Sequence, residues 1–153
     1  MAKEVTVFLL VEDEENDIFL VRREFKDAPG NLRLEAVPDG VEAMRYLVGQ
    51  GDYADRSIFP LPHVILLDLK MPRVNGFEFL AWVRACAPHS VRTIPVVVMS
   101  SSGESVDVTR AYSLGVNSYM IKPIDWETFR ERIRVLGIYW ADHVEKPQAY
   151  PAG

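Results

Sequence analysis

Strand-length apolar runs alternate with longer stretches of helical period five times along this chain of 153 residues. The runs fall at residues 5–11, 32–37, 64–67, 96–99 and 118–121. Such alternation predicts βα units and a parallel sheet covered on both faces. In the first amphipathic stretch Ile18, Val21 and Phe25 recur at helical spacing, and in the last Phe129, Ile133, Leu136 and Trp140 do the same. Asp125 is placed to cap that last helix, its carboxylate accepting from the free N–H groups of the first turn. Residues 49–62 are rich in Gly, Asp, Ser and Pro and predict a long loop. There is no internal repeat and no low-complexity tract.

Composition narrows this to one domain. With 48% hydrophobic and 25% charged residues, the chain has material for one substantial core and no room for a second. The expected division is a domain over residues 1–145, including an extended C-terminal helix, and a flexible tail over 146–153 that contains Pro147 and Pro151. A net charge of -5 argues against nucleic acid as a partner, since binding there needs clustered Lys and Arg. The longest apolar run is far shorter than the ~20 residues of a membrane span. Cys86, the single cysteine, has no internal disulfide partner, and Met-Ala-Lys-Glu leads into a strand without signal-peptide architecture, so a cytoplasmic location is expected. Cys86 itself is expected to be an inert thiol in or near the core. His63, His89 and His143 lack ligand spacing and are expected at the surface or in loops, with neither zinc nor phosphohistidine chemistry.

Candidate chemistry collects at the ends of the runs. Asp68 closes the third run and is followed by Leu-Lys-Met-Pro-Arg-Val-Asn-Gly, in which Pro72 and Gly76 turn the chain. Glu12 and Asp13 close the first run, Ser100 ends the fourth, and Lys122-Pro123 follows the fifth. In a right-handed parallel sheet the first, third and fifth strand ends can be neighbours, which brings Glu12, Asp13, Asp68 and Lys122 together. Three carboxylates there repel one another. A hard cation that keeps several waters, Mg²⁺, relieves that repulsion. With metal and ammonium to neutralise charge, a carboxylate can act as a nucleophile on phosphorus, a role that suits Asp68, with Lys122 as the clamp. Each feature also has a plainer explanation: an acidic first helical turn for residues 12–15, a polar loop for residues 100–102, a half-buried strand aromatic for Tyr119. The coincidence of Asp68 and Lys122 at equivalent strand ends favours the site.

This set of residues resembles the receiver domain of two-component response regulators. The shared pattern is an acidic pair after strand one, Asp-x-x-Met-Pro-x-x-x-Gly after strand three, Ser or Thr after strand four and Lys-Pro after strand five, in order over residues 4–136. The resemblance implies a flavodoxin-like, doubly wound α/β fold, five parallel strands in the order 2-1-3-4-5 with five helices. It implies that Asp68 accepts a phosphoryl group from a sensor histidine kinase. Asp13, Asp68 and the backbone carbonyl of Lys70 would bind Mg²⁺ directly, and Glu12 through water. Lys122 would pair with phosphoryl oxygens, Ser100 would be the switch hydroxyl and Tyr119 the switch aromatic. The Lys122–Pro123 bond is cis in the family. Lys70 and Ser102 occupy positions that influence how fast the phosphoryl group is lost. The longer loop before strand three, the tail Leu-Gly-Ile-Tyr-Trp-Ala-Asp-His-Val and the stretches Glu-Asp-Glu-Glu-Asn-Asp and Ala-Tyr-Ser-Leu-Gly-Val-Asn-Ser-Tyr are similar to regulators that serve phytochrome kinases.

Other readings separate on single residues. A haloacid-dehalogenase-like phosphatase wants a second Asp two residues after the nucleophile, where Lys70 stands, so the chain is read as a phosphoacceptor and not an enzyme. A flavodoxin-like cofactor binder wants a Ser, Thr or Gly-rich loop after strand one, where Glu12-Asp-Glu-Glu would repel phosphate. A phosphorelay intermediate, which passes the phosphoryl group to another histidine protein, and a phosphorylation-independent interaction module stay open. So does the identity of the downstream partner. Tyr139, Trp140 and Val144 extend the last helix beyond what covers one sheet, which favours a homodimer over the alternative in which they fold back on their own domain.

Overall fold

The computed structural model describes residues 4–28, 30–71 and 73–147. Pro72 and most of the expected tail, residues 148–153, lie outside the described residues. Five strands, β1 (Thr6–Val11), β2 (Leu32–Val37), β3 (Val64–Leu67), β4 (Val96–Ser100) and β5 (Ser118–Ile121), form one parallel sheet in the order β2-β1-β3-β4-β5. The helices between and after them are α1 (Glu15–Asp27), α2 (Gly40–Val48), α3 (Gly76–Ala85), α4 (His89–Arg92), α5 (Ser105–Ser113) and α6 (Trp126–Ile138). The flavodoxin-like fold and strand order are those expected. The sixth helix is the addition: α4 is a single turn between α3 and β4.

Every residue of β1, β3 and β4 is buried, because helices cover both faces. Successive strand residues point to opposite sides, so the sheet feeds two cores. Leu9, Val11, Ile65, Leu67, Val96 and Val98 pack on the side of α2, α3 and α5, against Tyr46, Phe79, Leu80 and Ala111. Phe8, Leu10, Leu66, Val97 and Met99 pack on the side of α1 and α6, against Val21, Phe25, Phe129 and Ile133. Asp125 caps α6 as expected, accepting from the N–H groups of Glu127 and Thr128.

The long loop before β3 contains a 3₁₀ turn, Gly51–Tyr53. It is held by Arg56, whose guanidinium donates to the carbonyls of Tyr46, Leu47 and Phe59 at 2.8–3.1 Å. After α6 the chain continues through a π-helical turn, Tyr139–His143. Trp140 packs on the second core, Val144 is half-buried and Tyr139 stays exposed, so part of this extension does cover its own domain.

Two expectations are corrected. Cys86 is exposed, because it caps the C-terminus of α3 where the helix leaves the core. The Lys122–Pro123 bond is trans, as are the other peptide bonds among the described residues. His63 is half-buried, its Nδ1 accepting from the Val7 N–H at 3.0 Å. No described helix is long and apolar enough to cross a membrane.

Candidate functional site

Strand register assembles the site. Val11 pairs with Leu67, so the residues that follow, Glu12 and Asp68, leave the sheet side by side, with the Asp68 N–H donating to Val11 O at 3.0 Å. Ser100 pairs with Ile121, and the next N–H, that of Lys122, donates to Ser100 O at 2.8 Å. Leu67 pairs with Val98, which sets Ser100 just beyond Asp68 on the neighbouring strand. The C-terminal edge of the sheet thus carries Glu12, Asp13, Asp68, Ser100 and Lys122, while Tyr119 lies within β5 opposite Val98. Ligands of open parallel sheets bind at such edges.

One carboxylate oxygen from each of Glu12, Asp13 and Asp68 lies within 4.8 Å of the others. Glu12 and Asp68 are buried and Asp13 is exposed, so the cluster opens to solvent through Asp13. Three hard oxygen donors in that space can hold a divalent cation, which would also relieve their mutual repulsion. Lys122 reaches in from β5: its Nζ donates to Glu12 Oε2 at 2.6 Å and to Asp17 Oδ2 at 2.8 Å, and stands 3.7 Å from Asp68 Oδ2. Burial drives the Glu12 carboxyl up to about 7, although the bond from Lys122 pulls the other way. Burial disfavours the Lys122 ammonium, but the hydrogen bonds with Asp17 and Glu12 outweigh it and hold the lysine above its ordinary value.

The remaining predicted residues surround this centre. The Lys70 N–H donates to Asp68 Oδ1 at 3.2 Å, and the Lys70 side chain is exposed. Ser100 is fully buried and its Oγ accepts from the Ser102 N–H at 3.2 Å. Tyr119 is half-buried, with its hydroxyl donating to Ser102 O at 2.8 Å. Ser102 in turn donates through Oγ to Asp107 in the first turn of α5.

Three contributors escape a reading of the sequence alone. Asp17 is the third residue of α1, and four residues beyond Asp13 it returns to the same end of the sheet; its spacing was the available signal. Asp39, the buried N-cap of α2, is paired with Arg73 from the loop after Asp68. Arg73 has a φ of 65°, a left-handed conformation that is strained for a residue with a Cβ. Nothing local in the sequence marks that contact, which spans 34 residues.

Comparison with known proteins agrees with this geometry. Residues 8–134 match the response regulator receiver domain. The probable methanogenesis regulatory protein FilR2 of Methanothrix harundinacea is 37% identical over 140 residues, covering 91% of this chain and 86% of its own. Response regulator Rcp1 of Synechocystis sp. is 34% identical over 143 residues, 94% of each chain. The structure of its Mn²⁺-bound form superposes with a TM-score of 0.85. The phosphorylated cyanobacterial phytochrome response regulator RcpA superposes with a TM-score of 0.87 at 31% identity, covering 95% of this chain and 100% of that one.

Proposed function

The chain belongs to the response regulator receiver family, and from that premise we propose that it accepts a phosphoryl group on Asp68 from a sensor histidine kinase of the phytochrome type. The observation that carries the reading is the convergence of Lys122 Nζ with the carboxylates of Glu12, Asp13 and Asp68 at one sheet edge. An oxygen of Asp68 attacks phosphorus, the P–N bond of the donor phosphohistidine breaks, and the imidazole leaves with the bonding electrons. Asp13, Asp68 and the Lys70 carbonyl would hold Mg²⁺ directly and Glu12 through water, and the ion would supply the positive charge that a phosphoryl group among carboxylates requires. Lys122 moves from its carboxylate partners toward the phosphoryl oxygens. Ser100 turns its hydroxyl to the same oxygens, and Tyr119 reports that movement to the surface.

The kinase assignment is supported by likeness to Rcp1 and RcpA, the latter described as a phytochrome response regulator. A small acidic chain with no described helix long and apolar enough to span a bilayer fits a cytoplasmic signalling partner. The signal leaves by protein contact, either to an effector or, in the relay alternative, to a histidine phosphotransfer protein. A second copy of the chain is favoured as one contact. An apolar groove of about 300 Å³ runs between edge strand β5 and α6, lined by Met120, Val135, Leu136, Tyr139 and Trp140. Mass measured over a range of concentrations would show a dimer; a monomer throughout removes that part.

Intact mass after incubation with Mg²⁺ and a small phosphoryl donor tests the central reading. Wild type should gain one phosphoryl group, lose that capacity in chelator, and show none in Asp68→Asn. No gain in wild type, even with candidate histidine kinases, would leave a phosphorylation-independent interaction module.

A further inference from the structure

Lys122 is tied to α1 as well as to the strand ends. Its Nζ is 2.8 Å from Asp17 Oδ2 and 2.6 Å from Glu12 Oε2, against 3.7 Å from Asp68 Oδ2. An ammonium has three N–H donors. Two of them are spent on carboxylates other than the acceptor. The two ties differ in what a cation does to them: Glu12 belongs to the cluster that can share one, whereas Asp17 stands outside it. When the cluster is occupied, Asp17 is the anion left to compete with a phosphoryl group for the lysine. Its position is set by a rigid element, because Val21 and Phe25 of the same helix are locked in the second core. The side chain of Lys122 is 12% exposed and that of Asp17 29%, so the pair is sheltered from water on the lysine side and open on the other.

The geometry points to Asp17 as a positioning residue for Lys122, one that holds the ammonium on the α1 side and restrains it from closing on Asp68. This rests on the phosphoacceptor role proposed for Asp68. Asp17 touches neither donor nor phosphorus; it acts through the lysine. Its effect is a brake on phosphorylation, released when the ammonium changes partners. Asp17→Asn keeps the shape and removes the charge, so the lysine is freed at little cost to packing.

The test is a double-mutant cycle on the full chain with Mg²⁺ and phosphoramidate, read as the rate of mass gain, with wild type and Asp68→Asn as positive and negative controls. Asp17→Asn should speed phosphorylation by about three- to tenfold, the worth of a partly exposed charge-assisted bond over a neutral one. Asp17→Glu, which keeps the charge, should restore most of the brake. In a Lys122→Ala background Asp17→Asn should change nothing, because the group it acts through is gone. Equal acceleration in both backgrounds would mean a general effect of charge on donor approach, and no acceleration in either would mean no restraint; each overturns the inference. A wild type that gains no phosphoryl group overturns the functional reading and the brake with it. A second measurement reads the tie directly: the ¹⁵N signal of the Lys122 ammonium in the metal-free protein should exchange faster with solvent in Asp17→Asn than in wild type or Asp17→Glu. Unchanged exchange overturns the inference whatever the phosphorylation rates.

Discussion

Gly76→Ala probes how tightly the loop that carries Asp68 is packed on the start of α3. A Cβ at Gly76 would lie 2.5 Å from Leu69 Cα and 2.7 Å from Asp68 O. Both are backbone atoms, so no change of rotamer relieves the clash, and the Gly76 N–H bond to Leu69 O at 3.0 Å must stretch as the loop moves. Against this, alanine is favoured over glycine in a helix by at most about 1 kcal/mol. Overpacking costs about 1–3 kcal/mol, and the upper part of that range applies when the neighbours cannot rotate away. Overpacking wins, with a net loss of about 1–2 kcal/mol, equivalent to a fall of about 2–8 °C in Tm for a chain of this size. The displaced atoms belong to residues 68 and 69, next to the proposed Lys70 ligand, so affinity for Mn²⁺ should fall as well. Urea unfolding in chelator and a Mn²⁺ titration measure the two effects separately. Gly103→Ala is the control: its Cβ would meet Ile121 Cδ1 at 3.1 Å, the end of a flexible, exposed side chain, and it should change stability by less than about 0.5 kcal/mol. A Gly76→Ala protein as stable as wild type, with unchanged Mn²⁺ affinity, would refute the reasoning.

In the metal-free protein Glu12 titrates near 7 against an ordinary 4.5, so the folded state holds that proton more tightly than the unfolded chain. Its contribution to stability is therefore complete below about pH 4.5 and is lost as pH rises through about 7; urea midpoints in chelator should fall over that window in wild type and much less in Glu12→Gln, and equal falls would contradict the assignment. Arg56→Ala removes the guanidinium from three carbonyls, two of them at the end of α2, of which Tyr46 O keeps the Gly49 N–H. It should cost about 1–3 kcal/mol and expose residues 49–62 to limited proteolysis, and a loop as resistant as in wild type would count against Arg56 as its anchor. Asp39→Ala removes both the N-cap of α2 and the partner of Arg73, and should cost about 1–2 kcal/mol by urea unfolding; a loss below about 0.3 kcal/mol would mean that neither contact matters.

What could be read in the sequence was what depends on near neighbours or on periodicity. β1, β3 and β4 announce themselves because burial on both faces leaves them with hardly a polar residue, and the cap at Asp125 is a contact with residues two and three positions on. The meeting of Glu12, Asp13 and Asp68 was legible too, since β1 and β3 are adjacent in the parallel sheet; the end of β5 is not beside them, because β4 intervenes, and Lys122 joins the cluster by the reach of its side chain. α4 escaped because four residues are too few to show a period, and the exposure of Cys86 because free cysteine as a residue type favours the interior, whereas this one stands where the helix has already left the core. Asp17 and the Asp39–Arg73 pair were hidden for a different reason. Their partners are 105 and 34 residues away, and only the packed chain brings them together.

Ser102 joins the two residues proposed to switch. Its N–H donates to Ser100 Oγ and its carbonyl accepts from Tyr119 OH, so a pull on Ser100 reaches the aromatic ring through a single residue. The Ser102 hydroxyl is anchored on Asp107, which carries the same displacement into α5. Magnitudes limit what this chain of contacts can do by itself. A neutral hydrogen bond contributes about 0.5–1.5 kcal/mol net, which shifts a two-state population by about two- to twelvefold. Carrying an equilibrium from 1:99 to 99:1 takes about 5.5 kcal/mol. The larger share must come from charged contacts, at about 1.5–3 kcal/mol each, and the charged donor at this edge is Lys122. In the proposed switch Ser100, Ser102 and Tyr119 would direct the response, while its amplitude would be set by how far the lysine prefers a phosphoryl oxygen to Glu12 and Asp17.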